Sequence, residues 1–573
     1  MARGSRKRAH EKATEKDEGV LQRVEPRGVP PSPPPRLIRV LYLLKAFALV
    51  VLAATYSPIS QLTLSPVYGA VGANVYHYKG LVVTVLFIAF ARGGIAHYLP
   101  RNLGFALPIF AFWIPSIQYL LFQYSTSLGN PIGPLWTESL TCFPLVALSL
   151  YVALQYIDAA ALGTFEIGGV DVNWPNITFL LFALVRWAVK GPIFRNVGRY
   201  IFTTRIGMQM IVAMLYAPIL PSNLFMLSLP SVAFTTLGNV HAPLQRTTAV
   251  LNDTLAIYNY SLLERQESLT GYISVLENHD LKFRAMRCDH SLLGGEWVMP
   301  ARKGQHPQVK EPIYAIFAML EAVRLVKTDI DLRSEPRALN IGLGVGTAPT
   351  AMMAHGVQTD VIELDPTVYY FAAKYFGLSP GINTEIGDAV ESVNATVSRD
   401  VSEIYDYIIH DVFTGGAEPV NLFTREFLLN LKTLLKPNGV IAINYAGDLA
   451  GPSASLIYRT INSVFPSCRV FREVEAPEAG STAVDFTNMV FFCTKTSKPI
   501  EFRKPVKSDF LGSGARQEHL LPQHEIPSEK FQHDGDILTT RNTKELEKRQ
   551  VGSAIGHWKV MRTVVPPAVW ENW

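Results

Sequence analysis

The stretch that decides the fold runs from Leu339 to Tyr445. It contains LNIGLGVGTAPTAMMAHG (residues 339–356), VIELDP (361–366), IGDAV (386–390), YDYIIHDVF (405–413) and LKPNGVIAINY (435–445). One apolar run ends in a glycine turn, the next in Glu363. A third segment carries Asp388, and a fourth run ends in Asp411. Strands are expected at 338–343, 360–363, 384–386, 407–411 and 440–445, with helices beginning near Pro349, Pro366 and Thr424. Alternating strand and helix predict a mostly parallel, doubly wound sheet. Ligands of such sheets sit outside the C-terminal strand ends. Glycine and acid signals in this order therefore predict a nucleoside-binding crevice.

Each residue has a chemical reading and a plainer one. Gly342, Gly344 and Gly346 let the chain turn and a ligand approach the backbone; a tight turn alone would also explain them. Their G-x-G-x-G spacing is not the dinucleotide G-x-G-x-x-G, which disfavours NAD. Glu363 can accept both hydroxyls of a ribose or be a solvated strand end. Asp365 is expected to cap the helix at Pro366. Asp388 can take an adenine amino group or cap the helix at Ala389. Asp411, beside the switch point, is the residue expected to do chemistry; the alternative is a turn aspartate. Glu418, after Gly415 and Gly416, would add a second carboxylate. Asp406 reads as structural and His410 as packed.

Outward from this core, the chain changes character. It has 573 residues, 17% charged, with a net charge of +4, which gives no support to nucleic-acid binding. Residues 1–36 read as a disordered basic, Pro-rich tail. Residues 37–236 are poor in charge and hold apolar runs at 37–56, 80–91, 103–124, 135–157, 177–189 and 206–234. These predict a multi-pass α-helical membrane domain with about six crossings. The basic tail and an even count would put the enzyme half in the cytosol. The sequons at Asn176, Asn252, Asn259 and Asn394 point the other way and are discounted. The four cysteines, Cys142, Cys288, Cys468 and Cys493, read as reduced and buried, with no metal-ligand spacing.

A linker with helical character (237–267) leads to a β-hairpin unit and amphipathic helix (268–335), then the α/β domain (336–495). Two final strands, 468–475 and 488–493, would form an edge hairpin. The extension 496–573 is polar at first, with an aromatic end suited to docking back.

The segments SLTGYISVLEN, RCDHSLLGG, EPIY, IGLGVGT, VIELDP, IGDAV and YDYIIHDVF together resemble the spermidine synthase family, in the manner of membrane-fused members. The resemblance covers about 268–495 and implies a Rossmann-like fold of the class I methyltransferase type. It implies that the three glycines line the tail of decarboxylated S-adenosylmethionine or S-adenosylmethionine, that Glu363 holds the ribose and Asp388 the adenine, and that Asp411 helps remove a proton from the attacking amine. Tyr314 and Glu311 would face the substrate, and no metal is implied. Two positions depart from the family pattern. Thr414 stands where a second acid is usual, and Gly271 where a glutamine is. The leading expectation is a membrane-anchored aminopropyltransferase acting on a polyamine. The alternatives are an S-adenosylmethionine-dependent methyltransferase, or a nucleoside-binding membrane protein without catalysis. Expected partners are a lipid bilayer and a small amine, with a homodimer as a further option and no nucleic acid.

Overall fold

The computed structural model describes residues 34–95, 103–162, 165–167, 170–328, 335–412, 418–476 and 485–573. Thr414, Gly415 and Gly416, on which the missing second acid and the Glu418 loop were read, lie outside the described residues.

The amino-terminal half is a bundle of apolar helices: α1 (Arg36–Tyr68), α2 (His77–Ile95), α3 (Ala106–Phe122), α4 (Cys142–Ala159), α5 (Trp174–Asn196), α6 (Arg205–Ile219) and α7 (Leu229–Leu237). Among the described residues, five helical stretches are long and apolar enough to cross a membrane: 36–68, 70–94, 103–122, 132–159 and 174–196. Helices 205–219 and 225–237 are shorter. The runs expected from sequence are all helical, and the last of them divides into α6 and α7. Contacts give the direction of each helix. Arg92 of α2 pairs with Asp158 of α4 at 3.2 Å, joining the C-terminal ends of both. At the opposite end Ser57 of α1 meets His77 at 2.8 Å. Gln118 of α3 accepts from Gln209 of α6 at 2.7 Å, while Ser116 of α3 meets Ser231 of α7. Successive helices therefore run in alternate directions. Residue 36 lies at one end of the bundle, and the chain leaves α7 at the other.

The carboxy-terminal half sits on that second end. A four-stranded antiparallel sheet comes first: β1 (Tyr260–Ser268), β2 (Gly271–Asn278), β3 (Phe283–Cys288) and β4 (Ser291–Trp297). The sequence suggested only a hairpin; β1 comes almost wholly from residues placed in the linker. The expected amphipathic helix is a short α-turn, Ala315–Leu320, continued as a 3-10 helix, Glu321–Leu325. Then follow β5 (Arg337–Ile341), β6 (Gln358–Glu363), β7 (Asn383–Ile386), β8 (Tyr405–His410), β9 (Leu435–Asp448), β10 (Ser467–Arg472), β11 (Phe486–Thr494) and β12 (His524–Glu525). Their order is β12-β10-β11-β9-β8-β5-β6-β7. β9, β8, β5, β6 and β7 are parallel, and β10 to β12 add an antiparallel edge. The chain moves outward from β5 through β6 and β7, then returns to β8 on the other side of β5. This reversal makes the switch point between β5 and β8, at the ends carrying Gly342 and Asp411.

One cysteine reading is corrected. Cys468 of β10 and Cys493 of β11 are register partners and form a disulfide with an S–S distance of 2.05 Å. Cys142 and Cys288 are free and buried, as expected.

The last 31 residues close the molecule. Helix Thr543–Val564 crosses the end of the α/β sheet, and Trp570 and Trp573 are fully buried between the halves. Arg287 of β3 lies among them. Its guanidinium donates to Val569 O at 2.5 Å, Trp570 O at 3.1 Å and Pro66 O of α1 at 2.8 Å. A buried cation with so many carbonyl partners is held by hydrogen bonds rather than by a counter-ion.

Candidate active site

A cavity of about 530 Å³ opens at the switch point. Three strand ends supply its floor. The β5 turn contributes Gly342, Leu343 and Gly344, β6 contributes Glu363, and β8 contributes Asp411. Gly342 has φ of +85°, and a Cβ there would lie 2.2 Å from the Asp411 carbonyl oxygen. Only glycine lets β5 and β8 approach this closely. Gly346 also takes a left-handed conformation, at the start of helix Thr347–Ala354, but lies outside the cavity lining.

Glu363 is buried, and its carboxylate accepts from the Leu343 N–H at 2.9 Å and the Asp365 N–H at 2.8 Å. Burial pushes its pKa up to about 7, against the pull of those two N–H groups. Asp365 caps the next helix as read, accepting from Thr367 N at 2.8 Å. It also receives the hydroxyls of Ser268 and Thr270, tying the small sheet to the large one. Asp388 has the cap of its plainer reading and also faces the cavity. It lines the cavity and caps helix Ala389–Val397 through Val390 N at 2.8 Å. His410 is packed against Phe423, and Asp406 binds Arg337 N and Lys436 away from the cavity.

Asp411 lines the cavity and accepts from Asn444 Nδ2 at 2.8 Å. Burial raises its pKa to about 6, into the range where a carboxylate exchanges protons near neutrality. Asn444, on β9, leaves its side-chain Oδ1 buried without a protein partner. The Tyr314 hydroxyl, at the same cavity, is also buried without one.

The structure does not bring Glu311 and Glu418 to this cavity. Glu311 accepts from Ser513 Oγ, Gly514 N and Ala515 N at 2.8–2.9 Å. It holds the start of helix Gly514–His519, a local role set by three converging donors. Glu418 is buried under the C-terminal helix, where Gln550 donates to it at 3.2 Å, and burial raises its pKa to about 8. A polar group so enclosed cannot reach a ligand in the cavity.

Several lining residues carry no signal in the sequence. Glu473 lies just past β10, with Ile316 N and Asn488 Nδ2 donating to it at 3.2 Å. His557 comes from the C-terminal helix, lies 3.2 Å from Ser291 Oγ and is kept neutral by burial, its pKa pushed down to about 4. Glu547, Val560 and Met561 complete that wall. Long-range folding, not spacing, gathers them.

The cavity suits S-adenosylmethionine by its own donor set. A glycine rim leaves backbone open to the cavity, Glu363 presents a carboxylate at the β6 end, and the floor is acidic, as a cationic sulfonium would require. No family model matches the chain. It is 43% identical over 541 residues to the N-terminal histidine N-methyltransferase of Emericella nidulans, covering 92% of this chain and 96% of that one. It is 31% identical over 222 residues to the polyamine aminopropyltransferase of Vibrio vulnificus, covering 37% of this chain and 69% of that one. Among solved structures, a probable spermidine synthase from Corynebacterium glutamicum is 19% identical, with a TM-score of 0.35, covering 48% of this chain and 96% of that one. Human methyltransferase-like protein 13 in complex with SAH is 22% identical, with a TM-score of 0.27, covering 37% and 94%. The expected aminopropyl transfer has the weaker support, from a relative matching only part of the chain; methyl transfer, the alternative, has the stronger. The chain belongs to the family of the N-terminal histidine N-methyltransferase and is a transferase with the fold of S-adenosylmethionine-dependent methyltransferases.

Proposed function

We propose that the chain transfers a methyl group from S-adenosylmethionine to a nitrogen of the N-terminal histidine of a protein. The observation that carries this is the 43% identity extending over both halves, against the relative named for that reaction. The cavity supports it. Besides Glu363 and Asp411 its lining includes Tyr314, Glu473, Asn488 and the C-terminal helix, which would receive the chain end. Glu473 would meet the positive α-ammonium group, which a lone amine substrate and a peptide start share.

S-adenosylmethionine supplies an activated methyl carbon, so the protein's task is alignment and proton handling. Gly342, Leu343 and Gly344 would take the tail, Glu363 the ribose and Asp388 the base. Asp411, oriented by Asn444, would accept the proton that the methylated acceptor group gives up. In balance, the nitrogen lone pair forms the C–N bond, the C–S bond breaks with both electrons going to sulfur, and the proton goes to Asp411 or through it to water. Calorimetry tests the co-substrate. S-adenosylmethionine should bind at micromolar concentration and decarboxylated S-adenosylmethionine far more weakly. The reverse order, with aminopropyl transfer to a polyamine, would overturn the reading.

The same proposal includes the membrane. Large apolar side chains face outward from the bundle, among them Leu37, Phe90 and Trp187, each at least 80% exposed, as suits lipid. With residue 36 and the α/β half at opposite ends, the tail and the cavity would lie on opposite sides of a bilayer. Disulfides persist in oxidising compartments, and the Cys468–Cys493 bond lies in the α/β half. A cytosolic tail with a non-cytosolic catalytic half reconciles both, in place of the cytosolic catalytic half expected from an even helix count.

A further inference from the structure

The bundle buries several polar pairs, among them Gln118–Gln209 and Ser149–Tyr216, and one cluster rich in metal-ligating side chains. There His77 opens α2, Cys142 opens α4, and Glu138 sits on the short helix Ile132–Leu140 just before it. All three are at most 1% exposed. His77 Nδ1 lies 2.5 Å from Glu138 Oε1, and one donor atom from each of the three residues lies within 4.8 Å of the others. We propose that His77, Glu138 and Cys142 form a structural zinc site that fastens the helices of the bundle together beneath the catalytic half.

Three features of the cluster point to a metal. The first is the donor set. One imidazole nitrogen, one carboxylate oxygen and one sulfur suit zinc, whereas calcium and magnesium take oxygen alone. The second is an unmet need. Glu138 Oε2 is buried without a partner, and a buried carboxylate oxygen left so is costly. The third is the outer support. His77 Nε2 lies 2.8 Å from Ser57 Oγ, and Ser60 Oγ donates to Glu138 Oε1 at 2.9 Å. A ligating histidine ordinarily has its second nitrogen anchored in this way. With Nε2–H donating to Ser57, Nδ1 turns its lone pair toward Glu138 Oε1, an arrangement that a shared cation resolves. On binding, Cys142 would lose its proton, and the divalent ion would neutralise the resulting thiolate and the Glu138 carboxylate inside the bundle. The nearest cation is Arg186 of α5, which donates to Ser57 Oγ at 2.9 Å and stacks on Tyr78. It occupies none of the three donor atoms. Ser60 or a water would fill the fourth position.

The sequence hides this site because His77 and Glu138 are 61 residues apart and only Glu138 and Cys142 share a local spacing. None of the three lines the catalytic cavity, so the proposal stands or falls apart from the methyl-transfer reading.

The test uses the full-length protein purified in detergent without chelator, with zinc counted by inductively coupled plasma mass spectrometry. About one zinc per chain is expected. It should fall at least tenfold in Cys142→Ser and in His77→Gln, while both variants still bind S-adenosylmethionine, which shows that they are folded. Cobalt loaded in place of zinc should give a sulfur-to-metal absorption band that Cys142→Ser abolishes. Less than a tenth of a zinc per chain, both as purified and after incubation with zinc and desalting, would mean that a proton alone holds the cluster and would overturn the proposal. Zinc that persists in both variants, or copper in its place, would overturn it equally.

Discussion

The two halves place their polar groups by different rules. In the α/β half, the acids that face the cavity stand at or just past the C-terminal ends of strands, so Glu363, Asp388 and Asp411 meet at one edge of the sheet although the chain crosses back over β5 to reach β8. Parallel strands impose this, since every C-terminal end points to one edge of the sheet. In the bundle, His77, Glu138, Ser57 and Arg186 meet from four helices, with no order in the chain. Antiparallel helices bring together residues near opposite ends of neighbouring segments, and an apolar run shows where a helix is but not what faces it. Chemistry on a parallel sheet is thus legible locally, and chemistry inside a bundle is not.

The sharpest way to break this contrast is at Asp411. Asp411→Asn should lower kcat by about 10²–10⁴-fold, the range for a positioned general base, while S-adenosylmethionine binding changes little. Its thermal midpoint should not fall, because the substitution removes a buried charge. Unchanged kcat would mean that the order of acids along the strands does not mark the reacting group.

Arg287 probes the joint between the two halves. Arg287→Leu leaves carbonyls of Pro66, Val569 and Trp570 without their donor and should cost about 3 kcal/mol or more, read as a lower thermal midpoint in detergent. A midpoint within a degree of wild type would mean that the halves are not coupled through it. Gly342→Val adds a Cβ where 2.2 Å of room exists. It should lose S-adenosylmethionine binding at least tenfold by calorimetry, whereas Gly304→Val, with nothing near it, should not.

Acidity gives a smaller effect. Asp411 titrates near 6 because burial disfavours its charged form, so below that pH it is protonated and cannot accept. The rate kcat/KM should fall about tenfold per pH unit below 6 and level off above. Loss of this limb in Asp411→Asn would assign it. The smallest effect is a gel shift. With the α/β half outside the cytosol, the exposed Asn394 can carry a glycan, and Asn394→Gln should remove the corresponding endoglycosidase-sensitive step. A glycan-free wild type with Cys468 and Cys493 both alkylatable would return that half to the cytosol.

Much of the fold could be read from sequence. The five parallel strands fall within a few residues of their expected positions, apart from the longer β9, because each of the first four ends at or just before a glycine or an acid. The site was half legible. Asn444, Glu473 and His557 reach the cavity through strand pairing and the docking of the C-terminal helix, which leave no trace in spacing. Glu311 and Glu418 looked available because burial is not visible in a motif. Cys468 and Cys493 were placed on adjacent strands, yet their pairing was missed because it depends on register. The C-terminal aromatics dock as expected, but Trp573 bridges both halves instead of one.

The central claim is methyl transfer to an N-terminal histidine governed by Asp411. Mass spectrometry of a peptide beginning with histidine, after incubation with S-adenosylmethionine and the purified chain, tests it most directly. The account predicts one added methyl on residue 1, none on the same peptide beginning with alanine, and none with Asp411→Asn. Aminopropyl addition to a polyamine, or equal methylation by the Asp411→Asn variant, would contradict it.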